Sequence, residues 1–117
     1  MKGFKDLNVY QMAYKNSLEI HKISLTFPKI EQFELGSQIR RATKSIAMNV
    51  AEGFGRNGST ADFKRFITMA LGSCEEVRVQ LNYCKDLEYI SEEQYNKYED
   101  EYLRIAKMLT KMLQTWQ

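Results

Sequence analysis

Apolar residues recur along this chain with the period of an α-helix, and no stretch alternates residue by residue as a half-buried strand does. A first helix is predicted over about residues 7–26. It carries one apolar stripe through Val9, Tyr10, Ala13, Ile20 and Phe27 and a second through Leu7, Tyr14, Leu18 and Leu25. Pro28, the only proline, restricts Phe27 and marks the end. A second helix, about 34–52, places Leu35, Ile39, Ala42, Ile46 and Val50 on one face. The third opens at Ser59 or Thr60, ahead of Asp62, as a cap does. Its stripe runs Phe63, Phe66, Ile67, Ala70, Cys74, Val77, Leu81, Cys84, all within about 60° of their mean direction. The fourth starts at Ser91, which forms a capping box with Gln94, and aligns Tyr98, Tyr102, Ile105, Leu109, Met112 and Trp116. Four amphipathic helices with short connections predict an all-α, up-down-up-down antiparallel four-helix bundle, a single domain over residues 1–117.

The "GFGRNG" at residues 53–58 matches G-x-G-x-x-G, the loop that cradles a pyrophosphate when it joins a strand to a helix. Here it follows a helical pattern, with no βαβ unit around it. The glycines therefore read as a helix connection, with Gly53 at the position after the helix end and Gly55, Asn57 and Gly58 in a turn. No nucleotide cofactor is expected.

The composition, 44% hydrophobic and 27% charged, is that of an ordinary folded domain. No run is long and apolar enough for a membrane span, and the N-terminus lacks the apolar core of a signal peptide, so a cytoplasmic protein without membrane partners is expected. Cys74 and Cys84 lie about 15 Å apart along one helix, beyond disulfide reach, and read as small core hydrophobes. No C-x-x-C, H-x-x-x-H or H-E-x-x-H spacing occurs, so no metal site is expected.

Catalytic groups are scarce. His21 is the only histidine and lies at the edge of an apolar face, where a structural role is the simpler reading. Glu75 and Glu76 are the one carboxylate pair to weigh for acid–base work, but adjacent helical positions point about 100° apart. The residues give no support to an enzyme.

Two features exceed what a monomeric bundle needs. One is apolar surplus: the second stripe of helix one with Leu18 and Leu25, then Ala47, Met48 and Ala51 off the main stripe of helix two. Met69, Leu71, Val79 and Tyr83 add to it on helix three. Such surplus predicts a partner, first of all a second copy. The other is charge. The net charge is only +2, but residues 1–58 hold nine Lys and Arg against five Asp and Glu, while the remainder holds eight against ten. Arg40, Arg41 and Lys44 fall on the polar side of helix two, Arg56 in the loop, and Lys64 and Arg65 at the start of helix three. These six are the candidate phosphate-contacting residues, against the plain alternative of solvated surface charge.

The run "FPKIEQFELGSQIRRATKSIAMNVAEGFGRNGSTADFKRFITMALGSCEEVRVQL" carries a family resemblance. Its "P-x-x-E", "Q-I-R-R-A", "S-I-x-x-N-x-A-E-G" and "F-x-x-F-x-x-x-A-x-G-S" elements, with the opening "FKDLNVYQMAY", resemble the four-helix bundle proteins encoded by intervening sequences within bacterial 23S ribosomal RNA genes. The resemblance spans nearly the whole chain. It implies a left-handed up-and-down bundle assembling into a ring-like homopentamer, with no established enzymatic activity and a mostly unassigned role. A relative, the accessory variability determinant of diversity-generating retroelements, is a pentameric bundle that engages nucleic acid and a reverse transcriptase through a basic surface. By that analogy Arg40, Arg41, Lys44 and Arg56 contact phosphate. Gln38, Ser45, Asn49, Glu52 and Ser73 match the family's polar motif positions and are read as hydrogen bonds between helices or subunits. The expectation is thus a non-enzymatic homo-oligomer that binds nucleic acid, most readily RNA, through a basic face. The alternative is a protein–protein scaffold or accessory module that binds no nucleic acid.

Overall fold

The computed structural model describes residues 3–115, so Trp116, assigned above to the face of the fourth helix, lies outside the described residues. Four helices are present: α1 (Asn8–Ser24), α2 (Leu35–Gly55), α3 (Thr60–Asp86) and α4 (Glu92–Thr115). Short 3₁₀ turns at Phe4–Asp6 and Lys29–Gln32 precede α1 and α2. Each helix packs on the next, and α4 closes back onto α1, giving an all-α four-helix bundle 45 × 23 × 21 Å in extent. There is no strand among the described residues.

The apolar stripes meet in one core. Val9, Ala13, Ile20 and Phe27 are buried against Ile39, Ala42, Ile46 and Val50, and these against the α3 row from Phe63 to Cys84. Tyr98, Tyr102, Ile105 and Leu109 complete it, and Met112 packs half-buried at its end. Phe66 departs from its predicted place. It is only half-buried, at the edge where α3 meets α2.

Both predicted caps form. Ser59 Oγ accepts from the Asp62 amide at 3.3 Å. Ser91 Oγ accepts from the Gln94 amide at 3.0 Å while the Ser91 N–H donates to Gln94 Oε1 at 2.9 Å, a reciprocal capping box. The end of α3 has no glycine. Glu88 takes the left-handed conformation there (φ 65°), and the Tyr89 and Glu88 amides reach back to the carbonyls of Cys84 at 2.8 Å and Lys85 at 2.9 Å. That is a Schellman arrangement with Glu where Gly is usual.

One expectation needs correction. Gly53 does not follow α2; it lies inside the helix, buried, with negative φ, and α2 runs on to Gly55. What Gly53 supplies is room. A Cβ there would sit 3.1 Å from Phe66 Cβ and 3.4 Å from the Phe63 carbonyl, so its absence lets α3 approach α2 closely. Gly36 does the same for the turn before α2, where a Cβ would be 2.7 Å from the Glu31 carbonyl oxygen.

Charged and polar groups tie the outer seams. Arg78 on α3 grips Glu99 of α4 at 2.7 Å and Glu75 at 3.1 Å. On the α1–α4 seam Asn16 Nδ2 donates to Glu101 Oε1 at 3.2 Å, and the Tyr98 hydroxyl donates to Glu19 at 2.8 Å.

Candidate nucleic-acid interface

The six candidate cations do not share one fate. Arg40 turns from α2 toward α1, where its guanidinium donates to Ser24 Oγ at 2.9 Å, to the Gln32 carbonyl at 2.7 Å and to Gln32 Oε1 at 3.4 Å. Gln32 in turn donates to the carbonyls of Ser24 and Phe27. Arg40 thus fastens the α1–α2 connection, and its donors face inward rather than toward a ligand.

Arg41 and Lys44 point outward from α2, and both are exposed. Arg41 makes no hydrogen bond or ion pair among the described residues. Lys44 Nζ lies 3.0 Å from His21 Nδ1. An ammonium can only donate, so Nδ1 must accept, which fixes the neutral imidazole with its proton on Nε2. Burial first, then the charges of Lys44 and Arg40, hold His21 below its ordinary pKa, consistent with the neutral ring.

Arg56 and Arg65 sit at the far end of the same surface. Their guanidinium carbons lie 5.1 and 4.5 Å from the Phe66 ring centre, flanking the exposed part of the aromatic. Arg56 also pairs with Glu52 at 3.0 Å and Asp62 at 3.8 Å, and Arg65 with Asp62 at 3.6 Å. These pairs are about half exposed, where such contacts hold weakly and open readily to a competing anion. Lys64 is half-buried and makes no ion pair among the described residues.

Arg41, Lys44, Met48, Asn49, Glu52 and Phe66 line a groove of about 450 Å³ along the α2–α3 surface. Arg41 and Lys44 are the cations that line it, and Arg56 and Arg65 reach its Phe66 wall by lying over the ring. The sequence pattern placed Phe66 in the core stripe; Cys84, at the same angle on α3, is fully buried, so the helical period alone did not separate the two.

The polar motif residues gather on the same seam. Ser45 Oγ and Ser73 Oγ lie 2.9 Å apart across α2 and α3, and Asn49 Nδ2 donates to Ser45 Oγ at 3.0 Å. The interhelical hydrogen-bond reading holds for Ser45 and Ser73, whereas Asn49 bonds within α2. Glu52 pairs within its own helix and loop, and the Gln38 side chain is exposed and makes no hydrogen bond among the described residues. Glu75 and Glu76 part as the helical geometry requires, Glu75 to Arg78 and Glu76 to the α2–α3 seam.

The candidate assembly residues also divide. Leu18, Leu25 and Met48 are exposed, Met48 at 69%. Ala51 is half-buried, while Ala47, at 6% exposure, belongs to the protomer's own core. Phe4, Tyr10, Tyr14, Leu18, Met48 and Ala51 line an apolar groove of about 420 Å³ between α1 and α2, with Ala47 as part of its floor. Met69, Val79 and Tyr83 are exposed along α3, and Leu87 just past its end.

Reactive chemistry is muted. Cys74 and Cys84 are free and buried, and burial pushes both thiols up to about 12. Neither forms the thiolate a nucleophile needs near neutral pH. A thiol reagent should therefore label less than one cysteine per native chain over minutes and both in denaturant; rapid native labelling would contradict the packing. Among the described residues no three potential ligands converge on a metal position, and no helix is long and apolar enough to cross a membrane.

Comparisons with known proteins agree with this architecture. A crystal structure of a protein of unknown function from the S23 ribosomal protein family of Bacteroides thetaiotaomicron VPI-5482 superposes with a TM-score of 0.83, at 26% identity over 92% of this chain and 96% of that one. No curated protein matches the chain. The profile of the 23S rRNA-intervening sequence proteins matches residues 5–111. The chain belongs to the 23S rRNA-intervening sequence protein family.

Proposed function

We propose that this protein is a non-enzymatic homo-oligomer that binds RNA through the α2–α3 surface. The observation that carries the reading is the groove lined by Arg41, Lys44 and Phe66, with Arg56 and Arg65 held over the Phe66 ring beside it. Cations tracking a backbone beside an aromatic platform are the arrangement by which proteins hold single strands. Glu52 and Asp62 interleave with the cations and keep the patch from being a uniformly positive field. One protomer therefore binds weakly, and copies in a ring bind together with avidity about 10²–10⁴ higher. The exposed apolar groove between α1 and α2 supports self-association, and five is the number the family resemblance implies.

Fluorescence anisotropy with a labelled single-stranded RNA over a salt series tests the reading. Binding should be micromolar or tighter at about 50 mM salt and weaken steeply as salt rises. Arg41→Gln with Lys44→Gln should reduce the salt slope by about 1.4 for each protomer engaged, since each lost phosphate contact on a single strand removes about 0.7 counterion. Absence of binding near 50 mM salt, or an unchanged slope in the double variant, would put the protein-scaffold reading first.

A further inference from the structure

The side-chain amide of an asparagine is open to attack by the backbone nitrogen of the residue that follows it. Attack requires that nitrogen to be free, the backbone between the two to turn, and the next residue to leave room for a five-membered ring. The chain holds six asparagines, and five of them, Asn8, Asn16, Asn49, Asn82 and Asn96, lie within the four helices. There the hydrogen-bond ladder fixes the torsion that ring closure has to change, and the next residues, Val9, Ser17, Val50, Tyr83 and Lys97, all carry side chains.

Asn57 differs on every count. It stands in the turn between α2 and α3 and is followed by Gly58. One bond closes that turn, from the Ser59 N–H to the Arg56 carbonyl at 3.0 Å. Neither the Asn57 side chain nor the Gly58 N–H makes a hydrogen bond among the described residues. Both residues are exposed, and a Cβ on Gly58 would meet nothing within 4 Å. A single solvent-exposed backbone bond opens readily, so the turn can reach the geometry of attack.

We propose that Asn57–Gly58 is a self-modifying site, at which the chain itself converts Asn57 to aspartate or isoaspartate and places a carboxylate beside Arg56. The Gly58 nitrogen gives its proton to a solvent base and bonds to Asn57 Cγ. The Cγ–Nδ2 bond breaks, and ammonia leaves with a proton taken back from solvent. One water then adds to the succinimide that results. Breaking the bond from the Gly58 nitrogen to Cγ gives aspartate; breaking its bond to the Asn57 backbone carbonyl carbon gives isoaspartate. The net change is water in and ammonia out, with no oxidant or reductant. Each conversion adds one negative charge and takes the formal charge of a chain from +2 to +1. Arg56, already drawn to Glu52 at 3.0 Å and Asp62 at 3.8 Å, gains a third carboxylate one residue away and is less available to phosphate. The new charge acts through water, so RNA binding should weaken about twofold for each protomer engaged. That consequence rests on the RNA-binding reading above; the modification does not.

Two measurements test it. In the first, the full-length protein is held for days in mildly alkaline buffer, which deprotonates more of the Gly58 amide, and is followed by intact mass and peptide mapping. Wild type should gain one mass unit at Asn57 and none at the helical asparagines. In Gly58→Ala the new Cβ enters open space and the backbone is not left-handed, so the melting midpoint should not fall. The variant should nevertheless convert about tenfold more slowly, because the Cβ crowds ring closure and stiffens the turn. An Asn57 that stays intact while the denatured chain converts overturns the site. So does equal conversion at the helical asparagines, or an equal rate in wild type and Gly58→Ala.

The second is anisotropy at low salt with a labelled single-stranded RNA, comparing fresh wild type, fully converted wild type and Asn57→Asp. The last two should bind about twofold more weakly for each protomer engaged, whereas fresh Gly58→Ala should bind as wild type does. Equal affinity throughout overturns the control of binding by this charge. If no form binds RNA, the basic-face reading fails, and conversion confined to Asn57 and slowed in Gly58→Ala still upholds the site.

Discussion

Arg40→Ala should lower the stability of the protein by about 2–3 kcal/mol, roughly 10 °C in melting midpoint at matched protein concentration, and leave the salt dependence of RNA binding unchanged. The basis is the three contacts of its guanidinium to Ser24 and Gln32. Hydrogen bonds from a charged donor contribute more than neutral ones, and cutting Arg40 short leaves the Gln32 carbonyl without its 2.7 Å partner. Arg40→Lys should recover only part of the loss, because an ammonium cannot span both the hydroxyl and the carbonyl as the planar fork does.

The neighbouring Arg41 should behave in the opposite way. Its side chain is exposed and engaged with nothing among the described residues, so Arg41→Gln should scarcely move the midpoint and should reduce the salt slope by about 0.7 for each protomer engaged. Thermal unfolding followed by circular dichroism, paired with anisotropy at a temperature where both variants are folded, separates the two. A midpoint for Arg40→Ala within about 2 °C of wild type would show the fork to be dispensable. An equal fall in salt slope for the two variants would mean that Arg40 also reaches phosphate, contrary to its inward course.

Adjacent arginines with such different tasks mark where the sequence stops being legible. The helices could be read because apolar residues repeat at helical spacing through four segments and because Ser59 and Ser91 carry side chains that cap the starts of α3 and α4. Arg40 could not, since its partners lie 8 and 16 positions earlier and are brought to it only by the turn at Lys29–Gln32. Gly53 misled for a related reason. A glycine near a helix end serves equally as a left-handed cap or as a gap for a neighbour, and only the approach of Phe63 and Phe66 decides. The same limit applies to Glu88, where a left-handed residue has no glycine to announce it. At the candidate site the outward course of Arg41 and Lys44 and the Ser45–Ser73 contact followed from the sequence.

Leu18→Glu combined with Met48→Glu should convert the assembled protein to a 13.8 kDa monomer at micromolar concentration, with its helical circular dichroism unchanged. Leu18 and Met48 are 47% and 69% exposed in the protomer, so glutamates there meet water and leave the fold intact. In an assembly the same positions lose contact with water. Each copy then forfeits the burial of two large apolar side chains, about 1.5–3 kcal/mol apiece, and brings two carboxylates into an apolar contact. A loss of even 3 kcal/mol per contact weakens each association step by more than a hundredfold. Met69, Val79, Tyr83 and Leu87 then distinguish the symmetry. A closed ring joins two different faces of each copy, whereas a two-fold dimer uses one face twice. If the α1–α2 groove receives these residues of the next copy, Tyr83→Glu alone should also dissociate the assembly. If the groove meets its own symmetry mate, Tyr83→Glu should leave the mass untouched, and that mass should be twice the chain's. Light scattering on wild type and both variants reads all of this at once. A monomeric wild type would sink self-association altogether, and a Leu18/Met48 double variant of unchanged mass would remove the α1–α2 groove from the interface.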